Sequence, residues 1–497
     1  MDPRVQDILT RFKDLNSPSA RRAVYYHLLE QMHPHEWRDV RDRMTQVSFQ
    51  KDILGNLPME IAVQIAKYFD LAEFHLFRRV SKRWNHLLSS TLFRGAVFHR
   101  YTGHICSSIA TESPDAFTQY AKQRVRLERG QPVSQIYNSP CLPLPSPTGS
   151  AGLDFSSGRY AWIEDAVVHV HSLHSSTTRS FCTENRDSFT TLRVSESIVA
   201  GITLHGFCHV WCLKSSDSAH FRLPSLQWKY FVVRGVNVAM AFSGMTSEKD
   251  FIIHWHFDSR VARTFNIANK LAYIDVNPYT GTLITVHLEE NVGSNISAHT
   301  RFCPAVFAQL QVIKYPLKDF SGGARPSSYT ITLPSIAVPT SLVEIDANLS
   351  FEIGNTMGIL SVRPEGCLAE TAHGIVAIIY NPETDKVNVN IVCSENSPFM
   401  PLCMTSIGDN ILYYIKNDNG KPKIWISNPD AAIPHRPAKC MNPQLPREAS
   451  NRVCSYGTNF TLRGDGDFIL MIDQNRLKVW CFDDNIYLPG AVPLERT

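Results

Sequence analysis

The sequence predicts an α + β multidomain protein, in which an N-terminal all-α region is followed by an all-β propeller of six to eight blades, seven favoured. Apolar residues recur at helical spacing as far as Arg129. After a proline-rich stretch this spacing disappears, and short β-branched and aromatic runs recur between turn residues. We expect four parts: a helical lead-in (1–50), a three-helix motif (51–98), a helical segment with a proline-rich linker (99–152) and a propeller-like domain (153–497).

The composition is that of an ordinary folded protein. The 497 residues are 43% apolar and 19% charged, which suits two or three domains. Lys and Arg number 49 against 46 Asp and Glu, and a net charge of +3 gives no indication of a nucleic-acid or membrane partner. No apolar run is long enough to span a bilayer, and the charged N-terminus is unlike a signal peptide. We therefore expect a cytoplasmic or nuclear protein whose 12 cysteines are reduced.

Residues 1–50 predict amphipathic helices. Val5, Ile8 and Phe12 form the apolar stripe of a first helix, and Val24 and Leu28 lie on one side of a second. Two interpretations are open. The helices form a surface for dimerisation or for a partner, or they are a lead-in that packs against the helices that follow.

Residues 57–93 predict three short helices. Pro58 fits a first helical turn, where its missing N–H costs nothing, and Ile61 and Ile65 continue one apolar stripe. A second helix begins near Leu71, and Ser81 caps a third. The apolar side of the third helix carries Trp84, Leu87 and Leu88. Three helices this short cannot bury all their apolar surface among themselves, so they need a partner or further helices.

This stretch closely resembles the F-box motif over its full length, in the order Leu57-Pro58-x-Glu60-Ile61, Leu71, Val80-Ser81-Lys82-x-Trp84 and Leu87-Leu88. In that family the three helices interlock with a Skp-type adaptor, which carries the protein onto a cullin scaffold while a second domain captures the substrate to be ubiquitinated. The resemblance implies F-box core positions or adaptor contacts at Leu57, Pro58, Ile61, Ile65, Leu71, Val80, Trp84 and Leu87.

The resemblance therefore implies a substrate-receptor subunit of an SCF-type ubiquitin ligase, itself not an enzyme. Its partners would be the adaptor, through it a cullin, and an unknown protein substrate. Two alternatives stay open: an F-box protein that acts with the adaptor outside a cullin ligase, and a propeller enzyme that its F-box only localises.

Seven hairpin-like units follow the proline-rich stretch. Their second strands lie at Val167–Val170, Cys208–Trp211, Phe251–Phe257, Leu310–Tyr315, Val387–Val392, Lys423–Ile426 and Leu477–Trp480. The first three recur at about 40 residues, a period typical of propeller blades, and such blades bury their faces only against their neighbours. Strands that end in Val-Trp weakly resemble WD-type repeats. A pair of β-sandwiches is the alternative architecture.

Metal-binding residue types cluster once, at His205, Cys208, His209 and Cys212. Successive side chains of a strand point to opposite faces, so Cys208 and His209 cannot converge on one tetrahedral ion. We therefore predict no metal site.

The sequence also predicts no catalytic residue and no cofactor. It contains no G-x-S-x-G motif, no P-loop and no dinucleotide-binding glycine motif. Because loops carry recognition while strands carry packing, we expect the substrate to meet long segments such as Glu289–Cys303 and Asp319–Val338.

Overall fold

The computed structural model describes most of the helical region and the strands of the β region. The described residues are 2–15, 17–46, 54–66, 68–69, 71–102, 114–137, 142–143, 152–243, 250–267, 271–289, 309–317, 325–332, 357–362, 374–381, 385–392, 403–407, 411–418, 421–427, 439–441, 460–473 and 476–494. Both predicted recognition segments fall mainly outside these ranges, so their role in substrate binding remains a prediction.

The N-terminal region is helical, as predicted. Its described helices are α1 (Pro3–Lys13), α2 (Pro18–Glu30), α3 (Pro34–Gln46), α4 (Met59–Ala66), α5 (Leu71–Phe77), α6 (Lys82–Leu88), α7 (Thr91–Thr102) and α8 (Pro114–Arg129), with a 3-10 turn at Leu54–Asn56. Proline occupies the first turn of α1 and α2, and the side chains of Asp2 and Ser17 cap these two helices. None of the helices in the described part of the chain is both long and apolar enough to cross a membrane.

Helices α1 to α3 leave several of their large apolar side chains exposed. Phe12 lies 6.3 Å from Tyr25, measured between ring centroids, and Arg21 stacks over Phe12, so α1 and α2 contact each other. Yet Ile8 is 62% exposed and Trp37 47% exposed. Both interpretations of residues 1–50 stay predictions.

The β region consists of seven antiparallel sheets in the described residues. Sheet 1 contains β2 (Leu153–Ser156), β3 (Arg159–Glu164), β4 (Val167–Ser172) and β5 (Thr177–Cys182). Sheet 2 contains β6 (Phe189–Val194), β7 (Ile198–Thr203), β8 (Phe207–Cys212) and β9 (Ser218–Arg222). Sheet 3 contains β10 (Trp228–Arg234), β11 (Asn237–Phe242), β12 (Phe251–His256) and β13 (Val261–Asn266). Sheet 4 contains β14 (Leu271–Asn277), β15 (Thr282–Glu289), β16 (Gln309–Pro316) and β17 (Ser327–Thr332).

Three further sheets complete the series. Sheet 5 contains β18 (Met357–Val362), β19 (Gly374–Asn381) and β20 (Lys386–Val392). Sheet 6 contains β21 (Cys403–Ile407), β22 (Ile411–Asp418), β23 (Lys421–Ser427) and β24 (Lys439–Cys440). Sheet 7 is ordered β25 (Phe460–Gly464), β26 (Phe468–Asp473), β27 (Arg476–Cys481), β1 (Ser134–Tyr137) and β28 (Val492–Pro493).

These sheets are the blades of a propeller, as the sequence predicts. The first strands of neighbouring sheets contact one another, as in the pairs β2–β6, β6–β10, β10–β14, β14–β18, β21–β25 and β25–β2. The last of these contacts joins sheet 7 to sheet 1, so that the last and first sheets of the series are neighbours. Each second strand predicted from the sequence coincides with β4, β8, β12, β16, β20, β23 or β27.

The segment predicted as a proline-rich linker contains part of the propeller. Strand β1 lies in it and pairs antiparallel with β27, Ser134 opposite Cys481 and Tyr137 opposite Lys478. Ile136 is buried in the apolar cluster shared by sheets 7 and 1. The composition break at residues 130–152 therefore does not mark the start of the β domain, because four residues of it supply the strand that β27 needs as a partner.

Candidate functional site

The three-helix motif forms around a small core of its own. This core is built by Leu54, Ala62, Ala66, Leu71, Phe74, Leu88, Phe93, Val97, Phe117 and Ala121, which are all buried. Ser81 adopts an extended conformation and its side chain accepts a hydrogen bond from the Trp84 backbone N–H, so the cap predicted for the third helix is present. Helices α4 to α6 therefore pack on α7 and α8, which the motif by itself does not include.

The predicted contact residues separate into three groups by burial. Leu71 is fully buried and belongs to the core. Partly buried side chains that pack against this core are those of Leu57, Ile65, Trp84 and Leu87. Exposed residues are Pro58, Ile61 (49%) and Val80 (55%). In the free chain, only the second and third groups present side-chain surface to a partner.

An aromatic stack supports the partly buried group from inside. The Phe77 ring lies 4.9 Å from Phe69 and 5.7 Å from Trp84, measured between centroids, in edge-to-face arrangements. Trp84 is therefore a structural member of the motif as well as a candidate contact. Its replacement would disturb the fold, so it is a poor probe of binding alone.

Sequence reasoning missed several exposed apolar residues of the same region. They are Met59 (37%), Tyr68 (74%), Leu76 (54%) and Leu92 (64%). Leu76 lies off the α5 stripe of Leu71, Phe74 and Phe77, and that departure from helical periodicity was the available signal. Together with Ile61 and Val80, these residues are the exposed large apolar side chains of the three-helix region, and we call this set the apolar docking face.

Helix α8 connects the three-helix motif to the ring. Near its start Phe117 packs in the motif core, where its ring lies 5.7 Å from that of Phe74. Near its end Leu127 packs in the apolar core of sheets 6 and 7, and its carbonyl oxygen accepts a hydrogen bond from the buried Tyr413 hydroxyl. One helix therefore belongs to two hydrophobic cores.

Polar contacts fix the same helix against sheet 7. The Gln123 side chain donates to the Gly466 carbonyl oxygen at 2.9 Å, in the turn between β25 and β26. Arg126 forms an ion pair of 2.7 Å with Asp484, in the turn after β27. Both turns lie at the same end of the antiparallel sheet, so α8 contacts the ring at that face. Turns between second and third strands, such as Leu204–Gly206, open on the opposite face.

Gly130 allows the chain to leave α8 and enter the ring. Its φ of +61° lies in the left-handed region, and the N–H of Gln131 bonds back to the Arg126 carbonyl oxygen at 2.9 Å. A Cβ at this position would collide with Ile426. Glycine is therefore required both by the backbone conformation and by the close approach of sheet 6.

Buried charged groups in the ring link neighbouring sheets. Asp275 of β14 is fully buried and accepts two hydrogen bonds of 3.0 Å from Arg234 of β10 and one of 2.7 Å from the Tyr273 hydroxyl. Asp154 of β2 accepts a bond of 2.8 Å from the Val194 N–H of β6. Burial raises the pKa of Asp154, which nearby arginines partly offset. Because these carboxylates are occupied in bridging sheets, they are not a catalytic pair.

The His and Cys residues of β8 alternate between two cores. Cys208 packs in the core between sheets 2 and 3, whereas Trp211 packs in the core between sheets 1 and 2. His209 stacks on Trp211 and on His220, with centroid distances of 5.8 and 5.3 Å. Within the described ranges no three His, Cys, Asp or Glu side chains converge well enough to hold a metal ion.

Comparison with known families identifies the three-helix motif. Residues 54–94 match the model of the F-box domain. The chain carries an F-box domain. The match begins at the 3-10 turn and ends in α7, and it includes the whole of the predicted motif. No curated protein matches the chain.

Solved β-propellers resemble the chain at low identity. The β-propeller domain of the Trilobed protease from Pyrococcus furiosus has 11% identity and a TM-score of 0.40, over 69% of this chain and 94% of that one. Virginiamycin B lyase from Staphylococcus aureus has 9% identity and a TM-score of 0.37, over 70% of this chain and 98% of that one. YCF48 from Cyanidioschyzon merolae has 10% identity and a TM-score of 0.35, over 71% of this chain and 99% of that one. At these scores the likenesses carry no argument about activity.

Proposed function

We propose that this F-box protein is the substrate receptor of an SCF-type ubiquitin ligase. Its F-box domain docks on a Skp-type adaptor and through it on a cullin, and its propeller recruits the protein to be ubiquitinated. The observation that carries the proposal is the apolar docking face, which lies on a domain whose family generally binds such adaptors. Several exposed large apolar side chains on one small domain support a protein contact there.

The ring suits a recognition role in this complex. The buried carboxylates Asp275 and Asp154 bridge sheets, and the part of the chain that the structure describes gives no positive evidence of catalysis. A receptor needs no catalytic residue, because it holds the substrate near the conjugating enzyme and so raises its effective concentration. Since α8 joins both cores, we propose the face of the ring opposite the F-box domain as the substrate surface.

Substitution of two exposed residues tests adaptor docking. We expect Ile61→Ala with Val80→Ala to weaken binding of the full chain to a purified Skp-type adaptor by about 2 kcal/mol, as expected for interface anchors. Both side chains are about half exposed, so the fold should tolerate the change. Leu204→Ala, which removes an equally exposed apolar side chain from the ring, is the matched control. If calorimetry gives equal affinities for the wild type, the double variant and the control, the apolar docking face is not the adaptor-binding surface.

Co-purification from cells decides between a ligase receptor and an F-box protein that acts outside a cullin complex. We expect tagged full chain to retain both adaptor and cullin, and the Ile61/Val80 variant to lose both. Recovery of adaptor without cullin would support the second function. The proposed location of the complex is the cytoplasm or the nucleus, which the same tag reports by microscopy.

A further inference from the structure

A strongly basic turn interrupts the apolar docking face. The six residues from Arg78 to Arg83 read Arg-Arg-Val-Ser-Lys-Arg and join α5 to α6; we call them the basic turn. Arg79, Lys82 and Arg83 are exposed, and Arg78 is half-buried. The F-box domain as a whole has six Lys or Arg against three Asp or Glu, whereas the full chain is nearly balanced. The excess positive charge is therefore local.

The basic turn is held in a defined conformation. The backbone N–H groups of Arg79 and Val80 bond to carbonyl oxygens of α5, at 3.0 and 3.1 Å. Ser81 then caps α6, and the Arg78 side chain donates to Asn85 at 3.2 Å. The charges are thus presented from a fixed backbone, which favours their recognition by a complementary surface.

Helix stability does not explain the cation at Lys82. Lys82 is the first residue of α6, where the helix dipole disfavours positive charge, and the first turn of this helix contains no acidic residue. Arg83 has a structural contact, because its side chain donates to Asn56 at 3.2 Å. Residues that oppose local propensity without a structural gain are expected at functional surfaces.

The basic turn is continuous with the apolar docking face. Val80, 55% exposed, lies within the turn itself, and Leu76, 54% exposed, lies one helical turn before it. A partner that covers these two apolar side chains must also approach Arg79 and Lys82. Because opposite charge on the partner would favour this approach and like charge would oppose it, the basic turn favours an acidic matching surface.

We propose that the basic turn is the electrostatic part of the adaptor-docking face, where it meets an acidic surface of the adaptor and accelerates association. This inference rests on the proposed function, and it adds the chemistry of the partner's surface and a kinetic role. Charges at the edge of an apolar contact act mainly on the association rate, while the apolar residues set the lifetime of the complex.

Association kinetics at two salt concentrations test the inference. With immobilised Skp-type adaptor and full chain in solution, we expect Arg79→Glu with Lys82→Glu to lower the association rate about tenfold at about 50 mM NaCl. The dissociation rate should change less than about threefold. The wild-type association rate should fall toward that of the variant at about 300 mM NaCl, because salt screens the attraction. Thermal unfolding should be unchanged or shifted upward, since Glu suits the first turn of α6.

Matched measurements separate the possible results. Arg222→Glu, an exposed charge reversal on the ring, should leave the association rate unchanged. The inference about the basic turn is overturned if Arg79→Glu with Lys82→Glu leaves the association rate unchanged. If Ile61→Ala with Val80→Ala still weakens binding in that case, the proposed function stands. If wild type does not bind the adaptor, the proposed function fails first. Loss of binding to anionic vesicles or duplex DNA with an unchanged adaptor rate would assign the turn to phosphate groups and also overturn the inference.

Discussion

His254 shows how a single side chain makes the stability of the ring depend on pH. It lies on β12, is 3% exposed, and its Nε2–H donates to the Asn237 side-chain oxygen at 3.0 Å. Burial lowers the pKa of His254 to about 3, and the nearby His256 and Arg263 act in the same direction. The folded chain therefore holds this imidazole neutral at all moderately acidic pH values.

Unfolding exposes the His254 imidazole to water, so the stability of the chain should depend on pH. In the unfolded chain a histidine has a pKa near 6.5, so below that pH the unfolded state binds a proton that the folded state does not. Stability should therefore fall as the pH drops from 6.5 toward 3, with a loss of about 2 kcal/mol at pH 5 relative to pH 7. Urea unfolding should show that His254→Gln loses correspondingly less over this interval. Equal losses in both proteins would contradict the prediction.

At the scale of single residues, the sequence predicts which residues cap or form a helix better than it predicts which side chains are buried. The spacing of Ser81 and Trp84 identifies a cap and a third helix, and both are confirmed. The same pattern treats Leu71 and Ile61 alike, although one is fully buried and the other half exposed. Whether a side chain is buried depends on the core that α7 and α8 complete, to which Leu71 belongs. A local pattern contains no information on those neighbours.

Helix α8 is the element on which the relation between the F-box domain and the ring depends. It contributes Phe117 to one core and Leu127 to the other, and its Arg124 and Glu128 form a buried ion pair of 3.0 Å. The sequence predicts a helix over Ser113–Arg129 but assigns it to a connecting segment. Its double role depends on contacts with residues more than 280 positions away, such as Tyr413.

Truncation of Leu127 tests this coupling. We expect Leu127→Ala to lower the free energy of unfolding by about 2 to 4 kcal/mol, because it removes a buried side chain from the core of sheets 6 and 7. Lys122→Ala, an exposed change on the same helix, should shift it by less than about 0.5 kcal/mol. Chemical unfolding followed by tryptophan fluorescence measures both. A loss below about 1 kcal/mol for Leu127→Ala would show that α8 is not part of the ring core.

At the scale of the whole molecule, strands from both ends of the β region meet in sheet 7. Sheet 7 takes three strands from β25 to β27, one from β1 and a short one from β28. The hairpin periodicity predicts β26 and β27. It does not predict β1, because a four-residue run among prolines has no repeat partner nearby and its pairing strand lies some 340 residues away. Long-range pairing of this kind leaves no local sequence pattern.

Two fragments test the contribution of β1. We expect residues 130–497 to melt at a clearly higher temperature than residues 153–497, which lack β1 and expose the edge of β27 and the cluster that buries Ile136. Differential scanning calorimetry compares them, and light scattering should show more aggregation of the shorter fragment. Equal melting temperatures would mean that β28 or another segment replaces β1 at no cost.

The pairing of β1 with β27 also determines the order in which contacts form while the chain is synthesised on the ribosome. Strand β1 emerges early and has no partner until the last tenth of the chain has been made, since Tyr137 and Arg476, which share a hydrogen bond, are 339 positions apart. The contacts of Gln123 and Arg126 with sheet 7 form equally late. A polypeptide that stops before β27 can already hold α8 through Tyr413, but it lacks the ion pair of Arg126 with Asp484 and the partner strand of β1. Only a product that extends beyond Asp484 completes the contacts of α8 with sheet 7.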